Sequence, residues 1–176
     1  MNFASDNTSG AAPEIMAALV RANDGYALGY GNDAITTRVR DKIREVFEAP
    51  EAAVYLVATG TAANALALSI STPPWGSVFC HASSHLALDE CGAPEFYMGG
   101  ARLTLVDGDA GKMTPDTLTR SMAITGRTGI HGMQRAMLSI TNLTEAGTFY
   151  SPTEVAALTA LARADGLHCH MDGARI

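Results

Sequence analysis

The sequence predicts an α/β fold, a mostly parallel mixed sheet with helices on both faces, and three observations lead there. Apolar runs of strand length recur from residue 53 onward, at 53–58, 77–81, 103–106, 136–141 and 167–171. Segments with helical spacing fall between them, and capping or turn residues mark several of the changes. Strands that alternate with helices make a sheet of this kind, because each helical crossover brings the chain back to the same end of the sheet.

The elements follow in order. Residues 13–23 read as a helix: Pro13 suits the first helical position, and Ile15, Met16, Leu19 and Val20 share one face. A loop rich in glycine and tyrosine follows, to Asn32. Asp33 is placed to cap a second helix in which Ile35, Val39, Ile43 and Val46 repeat at helical spacing. Its other face, with Arg38, Arg40, Asp41, Lys42, Arg44 and Glu45, reads as a solvated surface. After the run at 53–58 comes Thr59-Gly60-Thr61, then a helical stretch over about 62–69. Thr114-Pro115-Asp116 opens another short helix. Ser151, Pro152 and Glu154 form a Ser-x-x-Glu box at the start of a helix reaching about 165, with Val155, Leu158, Leu161 and Ala162 as its inward stripe and Gly166 as its stop.

Composition sets outer bounds. The chain has 176 residues, 47% hydrophobic and 17% charged, enough for one sizeable core. A formal charge of −6 argues against a general nucleic-acid binder. No apolar run approaches the roughly 18–20 residues that cross a bilayer. The first residues show no basic-then-apolar leader, and Cys80, Cys91 and Cys169 form no metal or disulfide pattern. A cytoplasmic protein with reduced thiols and no metal is the expectation, with no membrane and no nucleic acid among its partners.

Three features fall at the carboxyl ends of expected strands, where ligand sites of α/β sheets gather. Thr59-Gly60-Thr61 joins a strand to a helix, and amides at a helix N-terminus attract a phosphate, although such a turn also occurs without a ligand. His85 follows two serines beyond the second strand; a lone histidine there is commonly structural. Asp172 ends the last strand, where a carboxylate can pair with a cationic ring nitrogen, and Arg175 behind it can grip a carboxylate. His168 and His170 share a strand face, readable as packing or, less simply, as metal ligands. A phosphate cradle, a flat group and an acid are what pyridoxal 5'-phosphate (PLP) requires of a protein.

Six ordered segments carry a resemblance: Phe3-Ala4-Ser5-Asp6-Asn7, Tyr30-Gly31-Asn32-Asp33, Thr59-Gly60-Thr61-Ala62-Ala63-Asn64, Asp89-Glu90-Cys91-Gly92-Ala93-Pro94-Glu95, Thr144-Glu145-Ala146-Gly147-Thr148 and His170-Met171-Asp172-Gly173-Ala174-Arg175. Over essentially its whole length the chain resembles the threonine aldolase branch of the fold-type I PLP enzymes, in particular the low-specificity L-threonine aldolases. The resemblance implies PLP-dependent cleavage of L-threonine, L-allo-threonine and related β-hydroxy amino acids to glycine and an aldehyde. It implies that Gly60 and Thr61 hold the cofactor phosphate, His85 stacks on its ring, and Asp172 pairs with the ring nitrogen. Ser5 and Arg175 would contact the substrate carboxylate. His131, with His85, would handle the hydroxyl proton; Asn64 and Asn142 would be secondary site residues. Tyr30 would reach a neighbouring subunit's site in a homodimer or homotetramer.

The resemblance also implies a division into an N-terminal arm and helix (1–30) and an incomplete PLP-binding large domain (31–176). The lysine that binds the cofactor covalently would lie beyond Ile176, and the small C-terminal domain would be absent. Lys42, on a surface helix, and Lys112, in a turn, do not replace that lysine. The Thr141-Asn142-Leu143-Thr144 segment departs from the Glu-Asn-Thr-His form of some relatives. Two alternatives stand beside the aldolase: a related PLP β-eliminating lyase, and an inactive fragment or association module of the same fold.

Overall fold

The computed structural model describes residues 8–176. Ser5, expected at the substrate carboxylate, lies outside the described residues. By its contacts the chain divides into two units, residues 1–56 and 57–176.

In the first unit, α1 (Pro13–Ala22) opens on its proline, and α2 (Ala34–Val46) is capped as anticipated. The Asp33 carboxylate accepts the Thr36 N–H at 2.8 Å and the Thr36 hydroxyl at 2.7 Å, and these bonds hold its carboxyl below the usual range. Arg40 donates to the Gly31 carbonyl at 3.1 Å and Arg44 to the Ala52 carbonyl at 2.9 Å, fastening the turns on either side of α2. The apolar face of α1, Ile15, Met16, Leu19 and Val20, is exposed.

One expected strand does not form. Residues 53–58 have no strand structure, and Tyr55 and Leu56 are exposed. An apolar, β-branched run becomes a strand only when its backbone N–H and C=O groups find a ladder partner, and these residues pair with none of the four strands present.

The second unit is built on β1 (Gly76–His81), β2 (Arg102–Val106), β3 (Gln134–Thr141) and β4 (His168–Asp172), in spatial order β2-β1-β3-β4. Every pairing is parallel, so the sheet is uniform rather than mixed. Central β1 is buried along its whole length, and alternation sends its side chains to two cores. Val78 and Cys80 pack with Leu68 of α3 (Gly60–Ser71), Leu86 of α4 (His85–Leu88), and with Met98, which follows α5 (Ala93–Tyr97). Burial among these apolar groups pushes the Cys80 thiol up to about 11. Phe79 faces the other way, into a core with Leu138 and Ile140, Leu118 of α6 (Pro115–Ile124), and Leu158 and Ala162 of α7 (Pro152–Ala164). Helices therefore cover both faces, as predicted.

The α7 start is the reciprocal box expected from the sequence. Ser151 Oγ accepts the Glu154 N–H at 3.3 Å, and the Ser151 N–H donates to Glu154 Oε2 at 2.8 Å. Lys112, 2.6 Å from the other oxygen, and Ser151 together hold the Glu154 carboxyl down at about 2. Solvent screens this exposed pair, so its share of stability is small.

Two substitutions test this packing by urea denaturation at unchanged slope. Leu138→Ala, wholly buried, is expected to cost about 2–5 kcal/mol through lost burial and a residual cavity. Ser151→Ala should cost about 1 kcal/mol through the lost cap. Equal midpoints for Leu138→Ala and the parent chain would show that the second core is not where the structure has it.

Candidate active site

Parallel strands deliver all their carboxyl ends to one edge, and there a cavity of ≈ 220 Å³ is lined by Gly60, Thr61, Asn64, His85, Asp172, Ala174 and Arg175. A wider hollow of ≈ 710 Å³ runs past Asp107, Lys112, Arg120 and Glu154. The smaller cavity is the chemical one, because buried polar groups converge on it.

The first wall is the N-terminus of α3. Thr59 Oγ1 accepts the Ala62 N–H at 3.1 Å and the Thr59 carbonyl accepts that of Ala63. The amides of Gly60 and Thr61 are left without a protein acceptor among the described residues, as the first amides of a helix are. A Cβ built on Gly60 meets nothing within 4 Å, so the fold itself does not demand a glycine there.

The opposite wall is a chain of hydrogen bonds that joins three elements. Asn64 Nδ2 donates to Glu90 Oε1 at 2.8 Å and to Asp172 Oδ2 at 2.9 Å. The remaining Asp172 oxygen accepts the Ala174 N–H at 3.1 Å, which curls the backbone after β4. Glu90 Oε1 also meets His85 Nδ1 at 2.8 Å, with the Glu90 side chain fully buried and that of His85 34% exposed. The bond to Glu90 raises the His85 pKa, burial opposes the shift, and the negative charges of Glu90, Glu145 and Asp172 add to it.

A tight turn puts Glu90 there. Cys91 and Gly92 both take left-handed backbone angles, φ 52° and 74°, and the Ala93 N–H closes back on the Glu90 carbonyl at 2.9 Å. Gly92 suits such an angle; Cys91 adopts it at a steric cost. Below Asp172 on β4, His170 Nδ1 lies 2.9 Å from Ser139 Oγ, and burial lowers its pKa. His168 on the same strand face is exposed, so the two histidines do not form one buried pair.

The structure gathers Gly60, Thr61, His85, Asp172 and Arg175, which sequence reasoning named, with Asn64 at their centre. His131 and Asn142 do not line that cavity. His131 ends the turn Gly129–His131 just before β3, at the amino edge of the sheet. The length of β3, roughly 26 Å at about 3.3 Å per residue, separates it from the cavity. Tyr30 belongs to the first unit, exposed at a left-handed φ of 61°. Asn142 donates its backbone N–H to the Asp172 carbonyl at 2.9 Å, while its side chain clasps the backbone of Tyr150. Arg175 reaches Glu145 at 3.2 Å. Sequence reasoning missed Glu90 as a site residue; its signal was an acidic residue immediately before a turn ending in glycine.

The fold and cavity define the class: a fold-type I PLP-enzyme architecture, with a helix N-terminus and a strand-end carboxylate facing one cleft. The chain belongs to the β-eliminating lyase family, whose model matches residues 2–176. It is 43% identical over 173 residues to the low specificity L-threonine aldolase of Pseudomonas aeruginosa, covering 98% of this chain and 49% of that protein. The corresponding enzyme of a Pseudomonas sp. gives the same identity and coverage. The chain thus spans about half the length of these relatives. Among solved structures, Leishmania major threonine aldolase superimposes with a TM-score of 0.87 at 27% identity, over 93% of this chain and 47% of that one.

The bridging amide can be tested without any ligand. Asn64→Ala removes the donor to two buried carboxylates and should cost about 1–3 kcal/mol, measured by chemical denaturation. The His85 pair gives a pH signature of known sign. Because the folded His85 pKa lies above its ordinary 6.5, its contribution is complete below 6.5 and is lost as pH rises through the folded value. The melting temperature of the parent relative to His85→Asn should therefore fall across that interval; a difference that grows with pH would contradict the pairing.

Proposed function

We propose that the protein is a PLP-dependent aldolase that cleaves L-threonine, L-allo-threonine and related β-hydroxy amino acids to glycine and an aldehyde. The observation that carries this is the convergence on one cavity of Gly60, Thr61, His85 and Asp172, in a chain 43% identical to enzymes with that name. The cavity passes a test of fit. It offers two helix-end amides without acceptors, open space over Gly60 for a phosphate, and a buried carboxylate whose lone pairs are not exhausted by its two hydrogen bonds.

When bound, PLP supplies an electron sink that stabilises negative charge at the substrate's Cα. This chain's residues would bind and orient the reacting groups. The amides of Gly60 and Thr61, aided by the α3 dipole, hold the phosphate. Asp172 would accept a hydrogen bond from the protonated ring nitrogen, and Asn64 fixes its carboxylate in place. His85, which lines the same cavity, would face the cofactor ring and take up the substrate hydroxyl proton. Arg175 takes the substrate carboxylate, exchanging its contact with Glu145.

Ser5 joins Arg175 in this reading. His131 and Tyr30 act at sites completed by neighbouring subunits of a homodimer or homotetramer, which suits the distance of His131 from its own chain's cavity. The cytoplasm is the proposed location. Among the described residues no helix is long and apolar enough to cross a membrane.

Expression from the complete reading frame, with PLP and L-threonine or L-allo-threonine, should yield glycine and acetaldehyde. Pyruvate and ammonia from a substrate with a leaving group at Cβ, without glycine, would instead assign a β-eliminating lyase. Gly60→Ala gives a sharper test of the cradle. The added methyl meets nothing in the fold, so stability should hold or rise by about 0.5–1 kcal/mol, while PLP affinity falls by about tenfold or more, equivalent to about 1.4 kcal/mol. Unchanged affinity would remove Gly60 from the phosphate site.

A further inference from the structure

We infer that Glu90 is a positioning residue for His85: its buried carboxylate fixes the imidazole with the proton on Nδ1 and leaves Nε2 as the proton acceptor presented to the cavity. The inference rests on the proposed reaction for its purpose, but its geometry stands without it. A carboxylate only accepts hydrogen bonds, so the 2.8 Å contact requires Nδ1 of His85 to be the donor. In the neutral ring the other nitrogen then carries the lone pair. Nε2 has no protein partner among the described residues, and the ring lines the cavity.

The arrangement is selective about where charge can go. The Glu90 side chain is fully buried, Oε1 is shared by His85 and Asn64, and Oε2 has no hydrogen-bond partner among the described residues. A buried carboxylate so sparsely solvated gains most from a cation beside it, and His85 becomes that cation when Nε2 takes up a proton. Glu90 thus makes Nε2 a stronger base than a solvated imidazole, and Asn64 ties the same carboxylate to Asp172. One rigid unit would set both the ring-nitrogen partner and the proton acceptor.

Other charged groups around His85 bear on its titration. Glu145 and Asp172 favour its protonated form. Arg175 lines the same cavity and pairs with Glu145. His81, on the strand against which α4 packs, is engaged by Ser83 and the Gly108 carbonyl. His170 lies on β4 against Ser139.

The test is a ¹⁵N-histidine NMR titration of the cofactor-free protein, with His85 assigned from the signal lost in His85→Asn. In the parent, His85 should be the Nδ1–H form when neutral and titrate above the ordinary 6.5. In Glu90→Gln, which keeps the shape and removes the charge, the midpoint should fall, and Glu90→Asp should recover part of it. A parent His85 in the Nε2–H form, or titrating at or below 6.5, overturns the inference whatever the variants do. An equal midpoint in folded Glu90→Gln also overturns it. Calorimetric titration with PLP of the protein expressed from the complete reading frame is read separately: no binding sinks the aldolase reading, while the ¹⁵N result still decides the role of Glu90.

Discussion

Asn64 carries one amide nitrogen between two buried carboxylates, 2.8 Å from Glu90 and 2.9 Å from Asp172. The candidate site depends on that bridge. Two carboxylates within reach of one side chain repel each other, and burial strengthens the repulsion. An amide donor between them shares its two protons and keeps both acids in place without adding a charge. Because Asn64 belongs to α3, the helix whose first amides face the cavity, the bridge also sets the distance between those amides and Asp172. A lysine there would cancel the negative charge of Asp172; an asparagine preserves it.

The sheet explains why such a bridge is possible. Each parallel strand ends at the same edge, so Asp172 at the end of β4 and the turn after β1 that leads to His85 are neighbours in space, although far apart in sequence. This much is legible in the amino-acid sequence. Apolar runs of strand length, Asp33 and Ser151 as caps, and Gly166 as a stop all act through neighbours a few residues away, and local physics decides them. The places of His85 and Asp172 past the ends of β1 and β4 follow from the same alternation, whereas Thr59-Gly60-Thr61 opens α3 with no strand before it. The family resemblance supplies their roles.

The parts that could not be read are those decided at a distance. Residues 53–58 have the composition of a strand, but a strand is a pairing rather than a composition, and no partner is available among the four strands. His131 is different: it stands just before the run at 136–141, so sequence order in a parallel sheet already puts it at the amino edge. Glu90 was visible as part of a motif, yet nothing local shows that a surface-type residue is wholly buried. In the fold its carboxylate turns inward to Asn64 of α3, far off in sequence.

Arg175 and Glu145, 3.2 Å apart at the cavity mouth, have a consequence for recognition. A guanidinium already facing a carboxylate is neither stripped of an anion nor left to collapse onto Asp172. In the proposed reaction an incoming amino acid would replace one carboxylate with another of the same geometry, an exchange nearly balanced in charge and hydration. Discrimination then shifts away from the carboxylate, which every amino acid has, toward the groups that meet the far wall. The entrance is generic, and selectivity is left to the interior.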